Sequence, residues 1–142
     1  MSISRCAIAL TLVVLSACSD SADNGSSAEV MAVAKVTGSV LYRERMMLPP
    51  GAELKVQLED ISRPDALAEV LAVVTQTPAG GPPFDFTIEY DPQRIDKGHR
   101  YALRATITLD GNLMFTTNEY TDPFQAQPVE MMVERVPHRV PQ

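Results

Sequence analysis

Over much of the chain polar and apolar residues alternate with the period of two that sends successive side chains to opposite faces of a β-strand. Glu53 to Asp60 is the cleanest case, with Leu54, Val56 and Leu58 on one face and Lys55, Gln57 and Glu59 on the other. Phe84 to Tyr90 repeats the pattern through Phe84, Phe86, Ile88 and Tyr90, and Tyr101 to Leu109 through Tyr101, Leu103, Ala105 and Ile107. Lys35 to Tyr42 places Val36, Val40 and Tyr42 together, and a last strand runs from about Val129 to Val136, ended by Pro137. Each segment predicts a half-buried strand rich in β-branched and aromatic residues.

Two segments need more argument. In Asp65 to Thr77, Leu67, Val70, Leu71 and Val74 fit helical spacing, and Ser62 with Pro64 could open a helix. The cluster Val70, Val73, Val74, Thr75 and Thr77 decides for a strand, because β-branched side chains lose rotamer freedom in a helix and pack well on a pleated surface. Asp110-Gly111-Asn112 joins the strand ending at Leu109 to a second at Leu113 to Thr117. A two-residue turn would pair Leu109 with Asn112 and set Leu113 and Phe115 against outward threonines. A three-residue loop pairs Leu109 with Leu113 and Ile107 with Phe115 and keeps the apolar faces together, so the three-residue loop is expected.

Proline and glycine punctuate the strands: Leu48-Pro49-Pro50-Gly51, Pro78 to Pro83 and Asp91-Pro92 all read as turns or loops. Seven strands, one tight hairpin and no convincing long helix predict an all-β fold, a seven-stranded antiparallel β-sandwich of immunoglobulin-like or transthyretin-like type. The disulfide and Trp of antibody domains are missing.

The apolar run Cys6 to Leu15 breaks this pattern. As a helix its ten residues would reach about 15 Å, half of a hydrocarbon core of about 30 Å, so it reads as the apolar region of a secretory signal, not as a membrane span. The residues after it, Leu15-Ser16-Ala17-Cys18, resemble the bacterial lipobox. The resemblance implies cleavage between Ala17 and Cys18, acylation of Cys18, and a mature chain that begins with that residue. In the lipoprotein class Ser at the next position, here Ser19, implies the outer membrane, with the protein lipid-anchored (palmitate among its acyl chains) and facing the periplasm. The chain then divides into a signal peptide at 1–17, the acylated Cys and a flexible Ser-rich tether at 18–29, a folded domain at 30–136 and a tail at 137–142.

Composition sharpens the picture. The 142 residues carry a formal net charge of −6 with no basic run, which argues against nucleic acid, since phosphate binding depends on clustered Lys and Arg. Loss of the leader removes Arg5 and makes the mature chain one unit more acidic, so no electrostatic help from anionic headgroups is expected. Of the two cysteines Cys6 lies in the leader, which leaves Cys18 without a disulfide partner and free for lipid.

The search for chemistry is mostly negative. The sequence has no phosphate loop, no paired-Cys motif and no nucleophile elbow, and it predicts no catalytic residue, no metal ligand set, no cofactor and no small-molecule substrate. His99 and His138 lie apart and read as solvated surface residues. Asp85 and Glu89 fall on an outward face, near Asp91, and Arg100 and Arg104 fit a solubilising role. Met46-Met47 and Met131-Met132 read as core filling.

Several segments nevertheless carry a family resemblance. Gly38 to Arg45 followed by Leu48-Pro49-Pro50-Gly51-Ala52, then Val56 to Ser62, Pro83-Phe84 with Tyr90-Asp91-Pro92, His99 to Ala105 and Gly111 to Thr117 together resemble the YbaY-like lipoproteins. That family also contains the YscW-type lipoprotein chaperones of type III secretion. The resemblance implies a β-sandwich lipoprotein without a catalytic motif. Its chaperone members, the pilotins, escort a secretin subunit to the outer membrane and promote ring assembly. The matching residues have structural readings: Gly38 for a bulge or close backbone approach, Pro49-Pro50 for a stiff turn, Asp60 and Ser62 for turn capping, Tyr42 and Tyr90 as core-edge aromatics. The leading expectation is an outer-membrane-anchored binding or structural module with no assigned catalytic activity, acting through an envelope protein. The alternative is a pilotin-like chaperone with a secretin as partner. A third reading, an enzyme or small-ligand carrier, lacks convergent titratable groups.

Overall fold

The computed structural model describes residues 32–137. The expected leader, tether, Ala17, Cys18 and His138 lie outside the described residues. Among the described residues there are eight strands: β1 (Ala34–Leu41), β2 (Glu53–Asp60), β3 (Glu69–Gln76), β4 (Phe84–Tyr90), β5 (Tyr101–Leu109), β6 (Asn112–Thr116), β7 (Val129–Met132) and β8 (Glu134–Arg135), with a 3₁₀ turn at Pro92–Arg94. They form a three-stranded sheet in the order β4-β1-β7 and a five-stranded sheet in the order β3-β2-β5-β6-β8.

The alternation read from the sequence is the burial pattern of the fold. Val36, Val40, Phe84, Phe86, Ile88, Val129 and Met131 line the inner face of the small sheet. Leu54, Val56, Leu58, Leu103, Ala105, Ile107 and Phe115 line that of the large one, and all belong to one core. Tyr42 stacks on Phe115 with ring centroids 4.9 Å apart, and its hydroxyl donates to the Met46 carbonyl at 2.7 Å. Burial, helped by the Glu44 carboxylate, pushes that phenol above its ordinary pKa. Of the four methionines read as core, Met131 is buried and Met46 packs at the core edge, whereas Met47 stands 67% exposed.

Three expectations are corrected. The sandwich has eight strands instead of seven, because the last one divides at Val133: Val129–Met132 pairs with β1, and Glu134–Arg135 pairs with β6. It is not wholly antiparallel, since β1 and β7 run parallel with Gly38 opposite Val129 and Leu41 opposite Met132. The β5–β6 hairpin has a two-residue turn, pairing Leu109 with Asn112. Asp110 and Gly111 both have positive φ, 49° and 78°, as the type I′ turn requires. A register shift then leaves Met114 as an extra residue, so that Ile107 still faces Phe115 while Leu113 goes outward opposite Thr108. The bulge restores the expected pairing of Ile107 with Phe115, but not that of Leu109 with Leu113.

A second bulge explains the ambiguity at β3. Leu58 pairs with Ala72 and Glu59 with Val70, which leaves Leu71 over. The extra residue breaks the period of two and mimics helical spacing in a strand. Gly38 has the close approach read from the sequence: a Cβ there would collide with the Val129 carbonyl and lie 2.8 Å from the Phe86 ring. Pro49 accepts a hydrogen bond from the Ala52 amide across the stiff turn.

Candidate functional site

The two ends of the sandwich differ in chemistry. At one end lie the start of β1, the β2–β3 loop, the β4–β5 loop and the β6–β7 loop; Phe124 joins them by packing against Tyr90 and Tyr101, each at 5.8 Å. Asp60, the last residue of β2, is paired with Tyr101, the first of β5, so the chain just before Tyr101 lies beside the chain just after Asp60. The Asp60 carboxylate accepts from the Ser62 amide at 2.8 Å and the Ser62 hydroxyl at 2.5 Å, and its other oxygen lies 2.6 Å from His99 Nδ1. Ser62 Oγ in turn accepts from the Arg100 amide, and the Ile61 amide donates to the Arg100 carbonyl, both at 2.8 Å.

This network is a staple between two loops. Desolvation pulls the Asp60 carboxyl upward in pKa, but the two bonds from Ser62 and the His99 imidazole outweigh it, so the group sits below its ordinary value. The carboxylate stands between Ser62 and His99, and the serine proton is directed to Asp60, not to the imidazole. A nucleophilic serine needs the reverse order, with the imidazole in the middle. His99, read from the sequence as solvated, is half exposed yet tied to Asp60. The turn-capping role expected of Asp60 and Ser62 is present, and the imidazole extends it.

Beside the staple an open hollow of about 550 Å³ is lined by Asp60, Glu69, Arg94, Asp96, Lys97 and His99 among others. Its charges are mixed: Arg94 bonds Glu69 at 2.8 Å and also donates to the Leu71 carbonyl at 3.2 Å. Arg94 thereby covers part of the outer edge of β3, which pairs on its other side with β2. Val70 and Val73 of β3 stand exposed on the outer face of the sheet. An edge strand with exposed β-branched residues is a template for an added strand or an extended partner segment.

The remaining sequence candidates are spread out. Asp85 and Glu89 are exposed on β4, Glu89 paired with Lys35 at 2.7 Å, and Asp91 caps the 3₁₀ turn. Arg104 holds Glu59, whose residue is only 6% exposed, at 3.1 Å on the outer face of the large sheet. Arg100 lies over the Tyr120 ring, 5.5 Å from its centroid. These groups do not converge on one reacting centre.

A family model described as the type III secretion system lipoprotein chaperone (YscW) matches residues 31–132. The chain belongs to this family. It is 37% identical over 84 residues to the uncharacterized lipoprotein YbaY of Escherichia coli K12, a match that spans 58% of this chain and 44% of that protein, less than half the length of that relative. It is also similar to the structure of an alternative pilotin from the type II secretion system of Vibrio cholerae, with 36% identity and a TM-score of 0.65, covering 74% of this chain and 100% of the other. The YscW-family match takes in β1 to β7, with the staple, the bulged β3 and the parallel β1–β7 pair.

Neither the staple nor the β3 edge leaves a local signal in the sequence. The Asp60-to-His99 contact follows from the β2–β5 register, a long-range fact that turn chemistry at Asp60 and Ser62 does not contain. The edge position of β3 depends on strand order, which alternation leaves open.

Proposed function

We propose that this chain is a pilotin-like chaperone: an outer-membrane lipoprotein, held by acylated Cys18 and facing the periplasm, that escorts a secretin subunit and promotes its assembly. The observation that carries this reading is the likeness to the Vibrio cholerae pilotin over the whole of that chain. The family's description as lipoprotein chaperones supports it. The lipobox-like Leu15-Ser16-Ala17-Cys18 supports the anchor, and Ser19 supports the outer membrane. The role is non-enzymatic. The reading takes up the broader expectation of a binding module and gives it a partner.

On this reading the secretin segment meets the flank of β3 that pairs with no other described strand, where Val70 and Val73 are exposed. The test is deletion of the gene followed by fractionation of the inner and outer membranes and gel analysis of heat-resistant secretin multimers. The expected result is secretin monomer retained in the inner membrane, restored by the wild-type gene. Unchanged outer-membrane rings in the deletion strain overturn the proposal.

A further inference from the structure

The end of the sandwich at which β1 begins carries the most exposed large apolar residue among the described residues. Leu67 is 98% exposed, on the short loop between β2 and β3. The staple fixes the root of this loop through Asp60, Ser62, His99 and Arg100, so the leucine projects from an anchored base. β1 starts at the same end, since Ala34 pairs with Tyr90, which Phe124 joins to Tyr101. Tyr120, 54% exposed, lies there too, with Arg100 over its ring and its hydroxyl donating to the Tyr101 carbonyl. An exposed apolar side chain, an aromatic ring with a polar tip and an arginine at one end of the domain make up the chemistry of a membrane–water interface.

From these observations we infer that the domain rests on the bilayer with the Leu67 loop in its interfacial zone and Tyr120 beside it. The inference builds on the anchor at Cys18 set out above. The length of chain before the domain favours lipid as the occupant. About 15 residues separate Cys18 from Ala34, and a random coil of that length has a typical span of about 20 Å. The end bearing Leu67 is thus the one held near the lipid. The opposite end, with Met47, lies a strand length of about 25 Å further along the sandwich. Tethering supplies the local concentration that lets so small a contact form. The carboxylates of Asp65, Glu119 and Asp122 share the loops of this end, so the contact is apolar and aromatic, with no requirement for anionic lipid.

The test uses the acylated full mature chain in phosphatidylcholine vesicles with brominated acyl chains. A bimane label is placed by Ala66→Cys beside Leu67 and, separately, by Met47→Cys at the far end. Bromine quenching at least threefold stronger for the Ala66 label is expected, unchanged in 0.5 M salt and lost when Leu67→Glu is added. Equal quenching of the two labels overturns the contact. Mass spectrometry of the same preparation reads acylation at Cys18 separately. If the cysteine is unmodified, the anchor reading fails, and the chain, now with Cys18→Ser so that it takes up one bimane only, is held on nickel-chelating lipid by an N-terminal histidine tag. There the same unequal quenching upholds the contact and equal quenching overturns it.

Discussion

Asp60 and His99, 39 positions apart in the chain, meet at 2.6 Å and bind the loop after β2 to the loop before β5. The pair concentrates three hydrogen-bond partners on one largely buried carboxylate, and its consequence is a dependence of stability on acid. A carboxyl held below its ordinary pKa in the folded chain stabilises the fold fully above the unfolded value near 4. That contribution fades as pH falls from there through the lower folded value, where the carboxylate takes up a proton in both states. Asp60→Asn is therefore expected to cost about 1–2 kcal/mol at neutral pH and to flatten the loss of stability below pH 4, measured by urea unfolding at a series of pH values.

Gly38 sits at a point of close approach in the small sheet, between Phe86 on β4 and Val129 on β7. Any side chain there must push apart two strands or displace a core ring. Gly38→Ala is expected to destabilise the fold by about 2–3 kcal/mol, by overpacking, in thermal or denaturant melts. A change below 0.5 kcal/mol would show that the approach is loose.

The type I′ turn makes a separate demand. Gly111 has positive φ and no atom near its missing Cβ, so substitution there is a backbone effect free of clash. Gly111→Val is expected to cost about 1–2 kcal/mol, and Asp110→Asn to leave stability within about 0.5 kcal/mol, because Asn tolerates the left-handed region. Equal effects from the two substitutions would contradict the turn type.

These sites mark how much of the fold could be read from the residues. β2, β4 and β5 have the boundaries that alternation predicts, because each has one buried face and one wet one. The parallel β1–β7 pair was hidden, since the pattern says which face of a strand is buried and not which strand lies beside it. The division at Val133 was hidden for a related reason: Val129, Met131 and Val133 alternate without a break while the chain passes from one sheet to the other. At the hairpin, the apolar pattern requires that Ile107 meet Phe115, but the residue that satisfies it, Met114, sits in the strand and not in the loop. Of the candidate surface, Asp60 and Ser62 were legible through local turn chemistry, and His99 was not.

Membrane attachment has its own test. Cys18→Ala is expected to leave the precursor uncleaved, larger than the wild type by the leader, and unlabelled by a radioactive or alkyne-tagged fatty acid. Cleavage and labelling of the variant at wild-type levels would place the anchor elsewhere.

The chain crosses between the sheets at Val133, so one long flank of the sandwich has a spine. The opposite flank has a clasp: a loop at one end, the Gln76 side chain on the Asp85 carbonyl and Arg94 on that of Leu71. A pull or a rise in temperature should open such a book from its fore-edge. β3 amides would then exchange with solvent before those of β7, and the strand with the exposed valines would be the first to come free to pair anew.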